Sequence, residues 1–192
     1  VKVRKGIVTL SCNMTLSDTL LPEIIERFKI IHPDIRVKVH EDSSPQALER
    51  VLSGQSEIAF GTLGKPHPEL EFEQLIDDPF VIACHKSHPL ASSTSTTWED
   101  VKNQHFILLR PESSTRKLLQ SYLGTHYDVL SNDIQVGHFH SQLSLVARGI
   151  GIAATPSLIR LSRRDLDIAI IPISEPTISR KLGIVTYKGH AL

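Results

Sequence analysis

The sequence predicts an α/β protein built in two lobes. Three observations carry that reading. Short apolar runs rich in branched residues alternate with helical stripes, the stretch up to Gly61 holds two successive strand-helix-strand units, and a second alternating block follows an irregular passage. Two such units in succession imply a parallel sheet with right-handed crossovers. With 192 residues, 40% of them hydrophobic, the chain can bury one good-sized core or two small ones.

The elements are read in order. IVTLS, after Gly6, is a strand buried on both faces, and the polar passage Cys12 to Asp18 follows it. Leu21, Ile24, Ile25, Phe28 and Ile31 then share one helical face, opposite Glu23, Glu26, Arg27 and Lys29. His32-Pro33 ends that helix, because the residue before a proline is pushed out of helical geometry and proline has no N–H to donate. Period two takes over after Asp34, with Ile35, Val37 and Val39 inward. Ser44-Pro45 reads as an N-cap followed by proline in the first helical position. Leu48, Val51 and Leu52 form the stripe of that helix, and Gly54 stops it. Ile58 to Phe60 is a third strand.

Beyond Gly61, FVIACH supplies a strand, ASSTSTT a loop and Trp98 to Val101 a helical turn. HFILL is a strand, STRKLLQSYL a capped helix, IQV a strand, SQLSLVARG a helix ending at Gly149, and GIAAT a strand. IAIIPI and RKLGIVTY are the last strands, with Pro172 and Pro176 marking a linker between them.

Lys plus Arg and Asp plus Glu both number 21, so no basic field is present to hold a nucleic acid backbone. Two cysteines, Cys12 and Cys84, without a CxxC pair exclude a disulfide scaffold and a structural zinc site of that kind, and fit a reducing cytoplasm. No run is apolar enough to span a bilayer, and the start lacks a signal peptide's cleavage region. The chain begins without Met and enters a strand at once, so it reads as a fragment or processed chain with an N-terminal part missing.

In an open parallel sheet a ligand sits beyond the carboxyl ends of the strands, beside the helix N-termini. Thr15, Ser17, Ser43, Ser44, Thr62, Ser113, Ser114 and Ser141 gather at those ends. Hydroxyls beside free helix N–H groups suit a carboxylate or similar anion. Each hydroxyl taken singly reads equally well as a cap of its own helix, and only the coincidence of many at one end of the sheet favours a site. Arg110 offers a bidentate partner for a carboxylate, or is a solvated loop residue. His138 and His140 would share a face of an extended stretch and contact a ligand at the cleft mouth. Two ligands make no metal site, and neither a metal nor a cofactor is expected. No GxSxG occurs, GQSEI lacks the second glycine, and GIG follows a helix rather than a strand, which disfavours hydrolase and dinucleotide chemistry. Cys12 reads either as a thiol activated by the following helix or as a buried inert one.

GIVTLS, LLP from Leu20, RFKIIHPDIRV, EDSS and its helix to LSGQSEIAFG, HPLA at His88 and VARGIGIAATP from Val146 stand in an order and spacing that resembles the C-terminal effector-binding domain of LysR-type transcriptional regulators. Glu57 stands where the family usually has aspartate, and Gly61 to Pro66 is richer in glycine than usual. The resemblance implies the type II periplasmic-binding-protein fold: two Rossmann-like subdomains, residues 1–76 plus 174–192 and residues 77–173, with an effector in the cleft between them. It implies effector contacts at Thr15 and Ser44, and an absent N-terminal winged helix-turn-helix through which alone DNA is bound. Pairing of the domains in dimers within tetramers is implied as well. The expected function is sensing of a small anion that controls transcription, not catalysis; a transport solute-binding protein is the alternative.

Overall fold

Branched residues at alternate positions build the first sheet. In the computed structural model, which describes residues 6–128, 130, 134–162 and 165–189, β1 (Gly6–Cys12) runs parallel to both β2 (Ile35–Glu41) and β3 (Ile58–Gly61). Between β1 and β2 lie α1 (Met14–Thr19) and α2 (Leu21–Ile31), and between β2 and β3 lies α3 (Ser44–Leu52). The two strand-helix-strand units read from the sequence are therefore present, with a parallel sheet. Burial along β1 increases toward its carboxyl end rather than covering both faces throughout.

Two helices stand where one was expected. The chain breaks at Leu20, which closes α1 and opens α2, and Pro22 falls in the first turn of α2 where a missing N–H is harmless. The predicted apolar face of α2 is only partly covered: Leu21 is buried, but Ile24 and Ile31 are exposed, as is Ile30 outside that face. At the front of α3 the cap is Ser43, one residue before the position predicted. Its backbone N–H donates to Gln46 Oε1 at 3.1 Å, and the pair forms a capping box.

The irregular passage after Gly61 is shorter than expected, because β4 spans Leu70–His85. Then follow β5 (Thr96–Thr97), α4 (Trp98–Val101), β6 (Ile107–Leu109), α5 (Ser114–Leu123), α6 (Thr125–Asp128), β7 (Ile134–Val136), α7 (Phe139–Val146), β8 (Ala153–Pro156), β9 (Ile168–Ser174) and β10 (Ser179–Tyr187). Pro172 lies within β9 opposite Val81 of β4, not in a linker.

The residues fall into two compact units. Unit 1 takes the chain up to Asp77 and again from Lys181, and unit 2 is Asp78–Arg180. The second crossing thus lies beyond the expected residue 174, because three contacts hold residues 174–180 to unit 2. Trp98 Nε1 donates to Pro176 O at 3.0 Å, the Phe80 amide to Ile178 O at 2.8 Å, and Arg180 Nη2 to Asp78 Oδ2 at 2.6 Å. In unit 1 the order is β2-β1-β3-β10, with β10 antiparallel to β3, and the core includes Ala47, Val51, Ala59, Leu70 and Val185. In unit 2, β8 and β9 flank β4 antiparallel, and β6 and β7 form a separate parallel pair. Phe80, Ile82, Trp98 and Phe106 anchor its core.

Candidate functional site

Three strands of unit 1 end together, so the loops after them meet. After β1, Asn13 caps α1, its Oδ1 accepting from the Leu16 amide at 3.0 Å, while its own amide donates to Phe60 O of β3 at 3.3 Å. After β2, Ser44 takes the first position of α3. After β3, the Thr62 hydroxyl donates to Ser44 Oγ at 3.3 Å. Gly61 leaves the space between them open: a Cβ there would lie 3.6 Å from Asn13 Nδ2 and 3.9 Å from Ser44 Oγ. One patch therefore holds an amide and two hydroxyls at the amino ends of two helices, where backbone N–H groups are left without helical acceptors.

Thr15 stands in the first turn of α1, 3% exposed, and its hydroxyl has no hydrogen bond among the described residues. Ser17 is differently engaged, since its hydroxyl donates to Glu41 Oε1 at 2.6 Å. A serine holding a carboxylate of its own chain is less free for a ligand than Ser44 or Thr62. Asn13 was not singled out by sequence reasoning; an asparagine between a strand and a helix, at the preferred N-cap position, is the signal that finds it.

In unit 2 the candidate residues also follow strand ends, at Arg110 after β6 and His138 after β7. Arg110 follows β6 directly, its amide donating to Val136 O at 2.9 Å, which sets it beside the turn after β7. Its side chain is exposed and makes no hydrogen bond among the described residues. Ser114 is the first residue of α5, while the capping group is Ser113 Oγ, which accepts from the Arg116 amide at 3.4 Å. His138 and His140 do not alternate along a strand. β7 ends at Val136, so His138 caps α7 without a side-chain bond and His140 lies inside that helix. The shared extended face that would let them chelate is absent. Among the described residues no group of three His, Cys, Asp or Glu side chains is placed to hold a metal.

Cys12 ends β1 fully buried, directly before Asn13. Burial pushes its thiol up to about 11, the carboxylates of Glu41, Asp42 and Asp18 add to the rise, and the hydrogen bond with Ser17 opposes it. The activated-thiol reading of Cys12 is thereby overturned: the low dielectric around it outweighs the short helix that follows.

Two α/β units, each presenting helix N-termini and polar side chains at its strand ends, define a binding domain of the two-lobed class. The family model of the LysR substrate binding domain matches residues 2–192, and the chain belongs to that family. YbhD of Escherichia coli (strain K12), an uncharacterized HTH-type transcriptional regulator, is 32% identical over 188 residues, which is 98% of this chain and 59% of YbhD. The chain thus spans about three fifths of that relative. Among solved structures, the effector binding domain of QuiR in complex with shikimate superposes with a TM-score of 0.83 at 20% identity, over 98% of this chain and 90% of that one. The CcmR regulatory domain of Synechocystis PCC6803 in complex with 2-PG gives 0.85 at 21%, over 97% and 90%. At these identities the likeness shows the fold, the type II periplasmic-binding-protein fold expected from the sequence.

Proposed function

We propose that this chain is the effector-binding domain of a LysR-type transcriptional regulator and that it senses a small anion, a carboxylate or a group of similar size and charge. The observation that carries the reading is the patch in unit 1 where Asn13, Ser44 and Thr62 converge over Gly61. Its donors are neutral hydroxyl, amide and backbone N–H groups. Groups of that kind hold an anion by direct hydrogen bonds, with the partial positive charge of the helix ends behind them. Thr15 and Ser44 are the principal contacts, and Thr62 shares the patch. Ser17 supports it through Glu41. Arg110, Ser114, His138 and His140 are candidates on the strand ends of unit 2.

The kinship with YbhD and the ligands of the QuiR and CcmR structures support effector sensing rather than turnover. In this reading the full protein binds DNA through a winged helix-turn-helix outside residues 1–192 and works in the cytoplasm. Among the described residues no helix is long and apolar enough to cross a membrane. The exposed Ile24, Ile30 and Ile31 of α2 supply an apolar face for pairing of two copies. The effector shifts the oligomer only as far as its affinity differs between the arrangements available.

A melting screen of this chain against small carboxylates, inorganic anions and neutral sugars tests the ligand class. At least one anion should raise the midpoint in a saturable way, because a ligand that binds only the folded state stabilises it by mass action. A midpoint raised by neutral sugars alone would contradict the reading.

A further inference from the structure

The nine-residue helix α3 brings Ser44 to the anion patch, yet its fully covered apolar face is small, with only Ala47 and Val51 buried. A stripe that narrow leaves the position of the helix along its own axis to contacts at its two ends. Those contacts converge on Arg50, in the last turn. Its Nε donates to Asp42 Oδ2 at 2.7 Å, reaching back along the helix to the residue before the Ser43 cap, and its Nη1 donates to Gln55 Oε1 at 2.8 Å in the loop that follows. The Arg50 carbonyl accepts from the Gln55 and Ser56 amides at 2.8 and 3.1 Å. One residue thus holds both ends of α3.

The circuit closes on β1. The Asp42 amide donates to Cys12 O at 3.0 Å, and the hydroxyls of Ser56 and Ser11 meet at 2.8 Å in a buried pair. Ser11 and Cys12 directly precede Asn13, and Asp42 stands two residues before Ser44. The Asp42 and Arg50 side chains are 9% and 30% exposed, so their pair is far less open to water than Arg27–Glu23 on α2, at 75% and 61%. Charge-assisted bonds sheltered in this way are the stronger ones. The capping box of Ser43 and Gln46 cannot do the same work, because both residues move with the front of the helix.

We propose that Arg50 and Asp42 are positioning residues for the anion patch: they touch no ligand, and they fix Ser44 opposite Asn13 by locking α3 along its axis. The proposal rests on the anion-sensing reading of that patch. Ser44 Oγ lies 3.3 Å from the Thr62 hydroxyl and would lie 3.9 Å from a Cβ at Gly61. A slip of α3 by about 1 Å breaks the bond to Thr62 and alters the spacing of the donors, and hydrogen bonds weaken steeply with such changes.

Acetate titrated into the isotope-labelled chain, at a temperature where every variant is folded, reads the patch through the amides of Asn13, Ser44 and Thr62. Arg50→Met and Asp42→Asn should each weaken acetate binding about fivefold, the scale of one impaired hydrogen bond. Arg50→Lys keeps the charge but loses the second arm, and should fall between them and the parent. Destabilisation by itself does not change the affinity of molecules that are folded. A pair with a merely structural role would therefore lower the melting midpoint and leave the acetate affinity where it was, which would overturn the proposal. A cycle with Ser44→Ala gives the second readout. Because Arg50 acts through Ser44, adding Arg50→Met to Ser44→Ala should weaken acetate no further, and full additivity would overturn the proposal as well. Should Arg50→Met not fold, Asp42→Asn, which keeps the shape, carries both readouts. Failure of the anion-sensing reading is distinct: acetate, sulfate and inorganic phosphate would then give no saturable shift at those amides in the unmodified chain, and the positioning role would fall with it.

Discussion

Asp78 and Arg180, 102 positions apart, meet in a buried ion pair at 2.6 Å, at the two points where the chain passes between unit 1 and unit 2. Asp78 is fully buried and holds more than the arginine. Its Oδ1 accepts from the Ser157 hydroxyl at 3.0 Å and from the Leu158 amide at 2.9 Å, which ties in the turn after β8. Burial draws the Arg180 guanidinium below its ordinary value while Asp78 opposes the shift, and Arg180 Nε is left without a partner. One carboxylate thus fastens the first residue of unit 2, the last residue and the β8 turn.

Asp78→Ala is expected to cost about 3–5 kcal/mol, because it leaves the arginine charge buried and uncompensated. Denaturant unfolding measures it. A double variant, Asp78→Leu with Arg180→Met, should lose clearly less than the sum of the two single changes, since the two residues form one interaction. Additive losses would show that the pair is not a unit.

Gly183→Ala should destabilise unit 1 severely, by about 2–4 kcal/mol or more. The obstacle is backbone, Glu73 O at 2.0 Å from the added Cβ, and cannot be rotated away. Gly54→Ala is a useful control. Nothing lies within 4 Å of a Cβ there, but φ is +70°, so only conformational strain of about 1 kcal/mol is expected.

Cys12 gives a pH dependence with a definite sign. Its folded value of about 11 lies above the ordinary 9.0, so the folded state holds the proton more tightly. That contribution to stability is complete below pH 9 and is lost as pH rises toward 11. It amounts to about 2–3 kcal/mol in full. Cys12→Ala should flatten the fall in stability between pH 9 and 11 relative to the unmodified chain. In the native chain at pH 8 neither Cys12 nor Cys84, both fully buried, should react with a thiol reagent, and both should react after unfolding.

Ile31→Asp places a charge on the exposed end of the apolar face of α2, where Ile31 is 69% exposed. Pairing of copies through that face would be weakened, with little change in the stability of the fold. Sedimentation at several concentrations reads the first effect, and thermal unfolding the second.

The regular parts of this fold were legible in the sequence. Alternation in Ile35 to Val39, the His32-Pro33 stop and the Ser43 to Pro45 helix start each follow from one local rule, and the structure keeps them with the cap moved by one residue. The first ten residues of β4 were hidden because Glu71, Glu73, Asp77 and Asp78 interrupt the apolar pattern and Pro79 lacks a strand donor. Asp78 itself was unreadable for a different reason: its partner is distant in sequence, and local pattern carries no sign of it. His138 and His140 misled because the residues after a short strand, Gly137 to His140, were read as extended, when α7 already begins at Phe139. The hydroxyls at the strand ends were found from topology alone, and the structure sorts them by engagement, with Ser17 committed to Glu41 and Ser44 shared only with Thr62.

Titration of the strongest midpoint-raising carboxylate into the unmodified chain, Ser44→Ala and Thr15→Val is the most direct test of the anion patch. Ser43, not Ser44, caps α3, and valine keeps the buried shape of Thr15, so both variants should melt within about 2 °C of the parent. Each should weaken carboxylate binding roughly tenfold or more, the usual scale for a hydrogen bond to a charged group. Unchanged affinity in both variants would contradict the claim that this patch holds the effector.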